Sequence, residues 1–82
     1  MINLAMERKM KKGECIDVRT IGEDLGEGRF KLRSFDEDKD YCDAEYEQWI
    51  WSIGKHLTTG DIIASYSAEF YQNPEYECLW LR

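Results

Sequence analysis

Proline occurs once, at Pro74, and histidine once, at His56. The three cysteines, Cys15, Cys42 and Cys78, are widely spaced and form no Cys-x-x-Cys pair. An odd count argues against a disulfide framework, and one histidine with no paired cysteines argues against a zinc site. Three free thiols in a reducing cytoplasm are therefore expected. No apolar run is long enough for a signal peptide or a membrane span, so no membrane association is expected. Basic residues cluster only at Arg8, Lys9, Lys11 and Lys12, too few to predict nucleic-acid binding. Glycine-rich phosphate cradles and nucleophile elbows are lacking, so no cofactor is expected.

What is present is ring and acid. Eleven of the 82 residues are aromatic, which excludes a disordered chain. The length predicts one domain over residues 1–82, with a thin core and slight net stability. The net charge of −6 is local: residues 36–47 hold seven acids against Lys39, and the remaining ten acids and ten bases cancel.

Ile2, Ala5, Met6 and Met10 recur at helical spacing before Gly13, predicting a short helix over residues 2–11. Met6 and Met10 are also alternative start sites. CIDVRTI (15–21) and RFKLRSF (29–35) alternate, which predicts two strands with one dry face, joined by GEDLGEG as a hairpin loop. WIWSIGKHL and DIIASYS flank Thr58-Thr59-Gly60, predicting a hairpin with a three-residue loop and Leu57 opposite Asp61. Its strand over residues 48–57 competes with a helix over 40–53, because Cys42, Tyr46, Trp49, Ile50 and Ile53 also lie on one helical stripe. Asn73-Pro74 marks a turn before a last strand at Cys78–Leu81. The expected fold class is α+β, a mostly antiparallel β meander with a short N-terminal helix.

In the expected hairpin register both faces are apolar, one of them carrying Trp49, Trp51, Ile53 and Ile63. A sheet with one wet face would not look like this. Trp49, Trp51, Ile53 and Ile63 are therefore the candidate interface of a homo-oligomer, against the bland alternative of ring packing in the core. Tyr41, Tyr46, Tyr71 and Trp80, beside the acids, are candidates for caging a cationic small molecule.

The acidic run has its own candidates. Asp36, Asp38, Asp40 and Glu47 fall at positions 1, 3, 5 and 12 of a frame similar to the EF-hand calcium loop. Tyr41 stands where that loop needs glycine, and the preceding segment reads as a strand. A metal is therefore disfavoured against a solvated loop or a basic protein partner. His56 and Asp61 flank the hairpin tip, but no local argument brings a cysteine to them, so no enzyme is expected.

WIWSIG, TTGDIIAS and FYQNPEYECLWLR resemble the tail of small hypothetical proteins from mobile, integron-type gene cassettes. The resemblance covers the C-terminal half and carries no catalytic signature. It implies a compact bacterial protein and leaves an oligomer open. The expected role is a non-enzymatic, cytoplasmic binding module that self-associates through its aromatic face. A binder of small cationic ligands is the alternative.

Overall fold

Two sheets share one core in the computed structural model, which describes residues 15–82. The elements are β1 (Cys15–Asp17), a single helical turn α1 (Val18–Ile21), β2 (Gly22–Gly26), β3 (Arg29–Leu32), β4 (Asp40–Asp43), β5 (Gln48–Trp49), β6 (Ser52–His56), β7 (Ile62–Ser65) and β8 (Tyr76–Leu81). The smaller sheet has the order β1-β4-β5, with β1 and β4 parallel. The larger is antiparallel, with the order β2-β3-β7-β6-β8.

This corrects the α+β expectation. The described residues are mostly β, 49% strand and 6% helical, and α1 is the only helix among them. The helix expected over residues 2–11 lies outside the described residues. Nor is the sheet a simple meander, since β3 pairs with β7 and β1 crosses to β4. Period-two patterning marks strands, but it does not choose their partners.

Local chemistry explains where the strands stop. The alternation from Cys15 breaks at Asp17, whose carboxylate accepts from the Arg19 N–H at 3.1 Å and caps α1. That side-chain bond offers the backbone an alternative to the ladder. The glycine-rich 22–26 segment, expected as loop, is instead an exposed edge strand. Glu27 (φ 58°) and Gly28 (φ 79°) fold it onto β3 through a turn with both central residues left-handed, the geometry that fits strand twist.

The β6–β7 hairpin differs from expectation by one residue. The His56 N–H donates to the Asp61 carbonyl at 2.8 Å, and Gly60 N donates to the His56 carbonyl at 2.8 Å. The loop therefore has four residues, Leu57 to Gly60. His56 Nδ1 accepts from Thr58 N and Thr59 N, each at 3.2 Å, and this ties the extra residue in. A one-residue slip moves side chains to opposite faces. Ile53 now opposes Ala64, and Gly54 opposes Ile63.

The alternative helix over 40–53 is also overturned. Residues 40–43 and 48–49 are strands of the small sheet, and the chain passes at Ile50–Trp51 into the large one. Ile50 N donates to the Tyr41 carbonyl and Trp51 N to the Ser65 carbonyl, one bond to each sheet. Val18, Phe30, Leu32, Tyr41, Ile50, Ile53 and Ala64 form the buried core between them. The second face of the hairpin is covered too. Phe70, from the β7–β8 connection, lies so close over Gly54 that a Cβ there would sit 2.7 Å from its ring. Both faces are apolar, as the sequence implies, but the chain itself supplies cover on both.

Candidate functional site: an arginine among three tryptophans, beside a disulfide

The small sheet sorts its side chains by alternation. Ile16 and Tyr41 are register partners on the core face, where Tyr41 is buried. Cys15, Asp40, Cys42 and Trp49 take the opposite face, by pairing Cys15 with Asp40 and Cys42 with Trp49.

All three tryptophans meet one cation. The Arg82 guanidinium lies 4.5 Å from the Trp49 ring centroid, 5.4 Å from Trp80 and 6.0 Å from Trp51. Its Nε donates to the Ile50 carbonyl at 3.0 Å, and its Nη2 donates to Asp40 Oδ1 at 3.1 Å. The Arg82 N–H donates to the Trp51 carbonyl at 3.0 Å, which fixes the backbone that carries the group. The two ion-pair side chains are only 14% and 15% exposed. Burial pushes the Arg82 pKa down from its ordinary value, and Asp40 opposes that shift. Three indoles therefore surround a cation that the chain itself supplies, and of the expected cage residues only Trp80 is among them.

Behind the cage the rings continue inward. Trp80 meets Tyr41 edge-on at 5.8 Å, and Tyr41 stacks on Phe35 at 5.8 Å. The Tyr41 hydroxyl accepts from Asp36 N at 2.7 Å and donates to the Asp36 carbonyl at 3.3 Å. Burial raises its pKa. In front of the cage opens a cleft of about 460 Å³, lined by Glu37, Asp38, Lys39, Asp40, Trp80, Leu81 and Arg82.

Two acids of the run are anchored, which the sequence did not reveal. Asp40 pairs with Arg82. Asp43 is 0% exposed and accepts from Arg19 Nε at 2.9 Å, from Glu45 N at 3.1 Å and from the Tyr66 hydroxyl. Burial pushes Asp43 up, but the Arg19 and Tyr66 bonds outweigh it and hold the carboxyl below its usual range. Burial, with Asp43 reinforcing it, pushes the Tyr66 hydroxyl up to about 12. Arg19 also lies over Phe30 and Tyr46, at 5.4 and 5.0 Å. No sequence spacing links Arg19 to Asp43; only the β1–β4 crossover brings them together.

The other expected sites are dispersed. Of the interface set, Ile53 and Ile63 are buried in the chain, Trp49 is half-buried, and Trp51 is 45% exposed. Of the cage set, Tyr41 and Trp80 touch each other, whereas Tyr46 and Tyr71 are exposed on other segments. The calcium frame is interrupted, since Asp40 stands in β4 and pairs with Arg82. The Asp36 carboxylate accepts from Asp38 N at 2.9 Å. Among the described residues no group of His, Cys, Asp or Glu is placed to hold a metal ion. His56 is occupied by the hairpin tip and by edge-on contact with Tyr76 at 4.9 Å, while Asp61 lies 3.8 Å from Lys31.

The expectation of three free thiols is corrected. Cys15 and Cys42 are disulfide-bonded across β1 and β4, with Cα atoms 5.8 Å apart, and Cys78 is free. The pair is separated by 27 residues in sequence, so only the parallel crossover could reveal it. A second cleft, of about 360 Å³, is lined by Cys15, Cys42, Ala44, Glu47 and Trp49. Trp49 therefore borders the disulfide and also carries the Arg82 cation. Among the described residues no helix is long and apolar enough to cross a membrane. No family model, no curated protein and no solved structure matches this chain.

Proposed function

We propose that the protein is a non-enzymatic interaction module that pairs with a second copy of itself along β8. The observation that carries this reading is Trp51, 45% exposed beside the end strand of the large sheet. Among the described residues β8 is the longest strand, and its outer edge pairs with no strand. Of its six residues, YECLWL, only Glu77 is charged, and Leu81 is exposed. A long, sparsely charged edge invites another strand. The site is smaller than the sequence suggested, since Ile53 and Ile63 lie inside the chain. The reading keeps the protein in the cytoplasm, where small thiols would cycle Cys15–Cys42 rather than leave it locked.

Sedimentation at micromolar concentrations tests this. The wild type should show a concentration-dependent dimer that Trp51→Lys abolishes while its far-UV circular dichroism is kept. A strict monomer at every concentration sinks the reading.

The first cleft supports a second reading, a small cationic ligand or the basic side chain of a protein partner. Glu37 and Asp38 are exposed at its mouth, and Trp80 supplies a ring. Calorimetry with a quaternary ammonium compound, compared with Glu37→Gln/Asp38→Asn, tests it. No heat above dilution with the wild type rules it out.

A further inference from the structure

We infer that the Cys15–Cys42 disulfide is a site of thiol–disulfide exchange, entered through the cleft it lines and selective for small cationic thiols. Three features carry this. The bond is not sealed in the core: it lies on the outer face of the small sheet and forms part of the wall of a cleft of about 360 Å³, wide enough for a small thiol. The two cysteines differ in exposure. Cys15 is half-buried and Cys42 is 9% exposed, so the incoming thiolate reaches Cys15 first. Among the described residues, carboxylates flank the bond. Glu47 lines the cleft and is exposed, and Asp17 is the register partner of Cys42. Asp40, the partner of Cys15, is bridged to Arg82. With a net charge of −6, the protein repels an anionic thiol and attracts a cationic one.

The exchange runs in two displacements. A small thiolate attacks Cys15 Sγ, forming a new S–S bond as the Cys15–Cys42 bond breaks and Cys42 leaves as a thiolate that takes up a proton. A second thiolate then attacks the small-molecule sulfur of the mixed disulfide, and Cys15 departs as a thiolate. The protein gains two electrons, and two small thiols become one small disulfide. Reduction removes the covalent cross-link between β1 and β4. Trp49, opposite Cys42 in the β4–β5 ladder, sits where its emission senses that change.

The experiment uses the full chain with Cys78→Ser, so that every new thiol comes from this pair. Cysteamine and glutathione are compared as reductants at equal thiolate concentration in native buffer. Intact mass after alkylation reads the thiols, and tryptophan emission is followed in parallel. Two alkylatable thiols should appear without loss of the β-sheet circular dichroism. Cysteamine should act several-fold faster than glutathione, and Glu47→Gln should narrow that ratio. The emission change should track the thiols and vanish in Trp49→Phe, whose mass readout remains. Three results overturn the inference: two thiols in the air-oxidised protein, reduction only after denaturation, or glutathione at least as fast as cysteamine.

Discussion

Arg82 rests on the Trp49 ring at 4.5 Å while its Nη2 reaches Asp40, so one side chain joins the last strand to both β4 and β5. Arg82→Ala would leave Asp40 in a poorly solvated place and uncover the indoles. A loss of about 2–3 kcal/mol is expected, and Arg82→Lys should recover only part, because an ammonium lacks the planar fork. Urea unfolding followed by tryptophan emission measures both. Equal stability of all three proteins would show the cluster to be ornamental.

The disulfide closes a span of 27 residues across strands that neighbour each other only after folding. Its removal in Cys15→Ala/Cys42→Ala should cost about 3–4 kcal/mol by the loop-entropy relation. In a domain of this size that lowers the melting temperature by roughly 10 °C or more. A thermal melt by circular dichroism reads it directly.

Stability should be bounded at both ends of the pH scale. Asp43 is held below its usual range against the cost of burial. Glu69 is lowered by its Arg29 hydrogen bonds, with burial opposing. A carboxylate depressed in the fold stabilises above its unfolded pKa, about 4, and that contribution is lost as pH falls through the folded value. Tyr66 has the opposite sign. Its folded pKa of about 12 exceeds the ordinary value, so its contribution is whole below about 10 and lost as pH rises through 12. Asp43→Asn should flatten the acid limb of a stability–pH curve, and Tyr66→Phe the alkaline limb.

Two glycines should respond differently to alanine. At Gly54 a Cβ would press on the buried Phe70 ring, with Phe70 Cγ at 2.7 Å, so Gly54→Ala should cost about 1–3 kcal/mol through overpacking. Gly60 (φ +81°) has open space around it, so Gly60→Ala should cost only about 1 kcal/mol, from backbone strain. Denaturant melts should therefore show Gly54→Ala losing more stability than Gly60→Ala, because Phe70 Cγ and Cβ lie at 2.7 and 2.8 Å from the added Cβ at Gly54 and nothing lies near it at Gly60.

Strand positions were legible where alternation was clean. Phe30 and Leu32 are buried as RFKLRSF implied, and Tyr76–Leu81 contains the expected last strand. Pairing was legible only for the β6–β7 hairpin, and there the register is one residue off. The hairpin register turned on one acceptor, His56 Nδ1, that no propensity carries. The Cys15–Cys42 bond and the Arg19–Asp43 pair depend on a parallel crossover between segments with no shared local signal. Trp49, Trp51, Trp80 and Asp40 meet at a single side chain. What they concealed was that the cation among the rings belongs to the chain itself, as Arg82.

The parallel pairing of β1 with β4 also orders the folding of the molecule in time. The β2–β3 and β6–β7 hairpins close short loops and can form early. β1 can reach β4 only once the β2–β3 hairpin between them has turned back, so the three-stranded sheet should be assembled late. Closure of Cys15 onto Cys42 during refolding would then be a clock for the final step, and quenched alkylation at successive times should find those two thiols still free after the hairpins are already protected from hydrogen exchange.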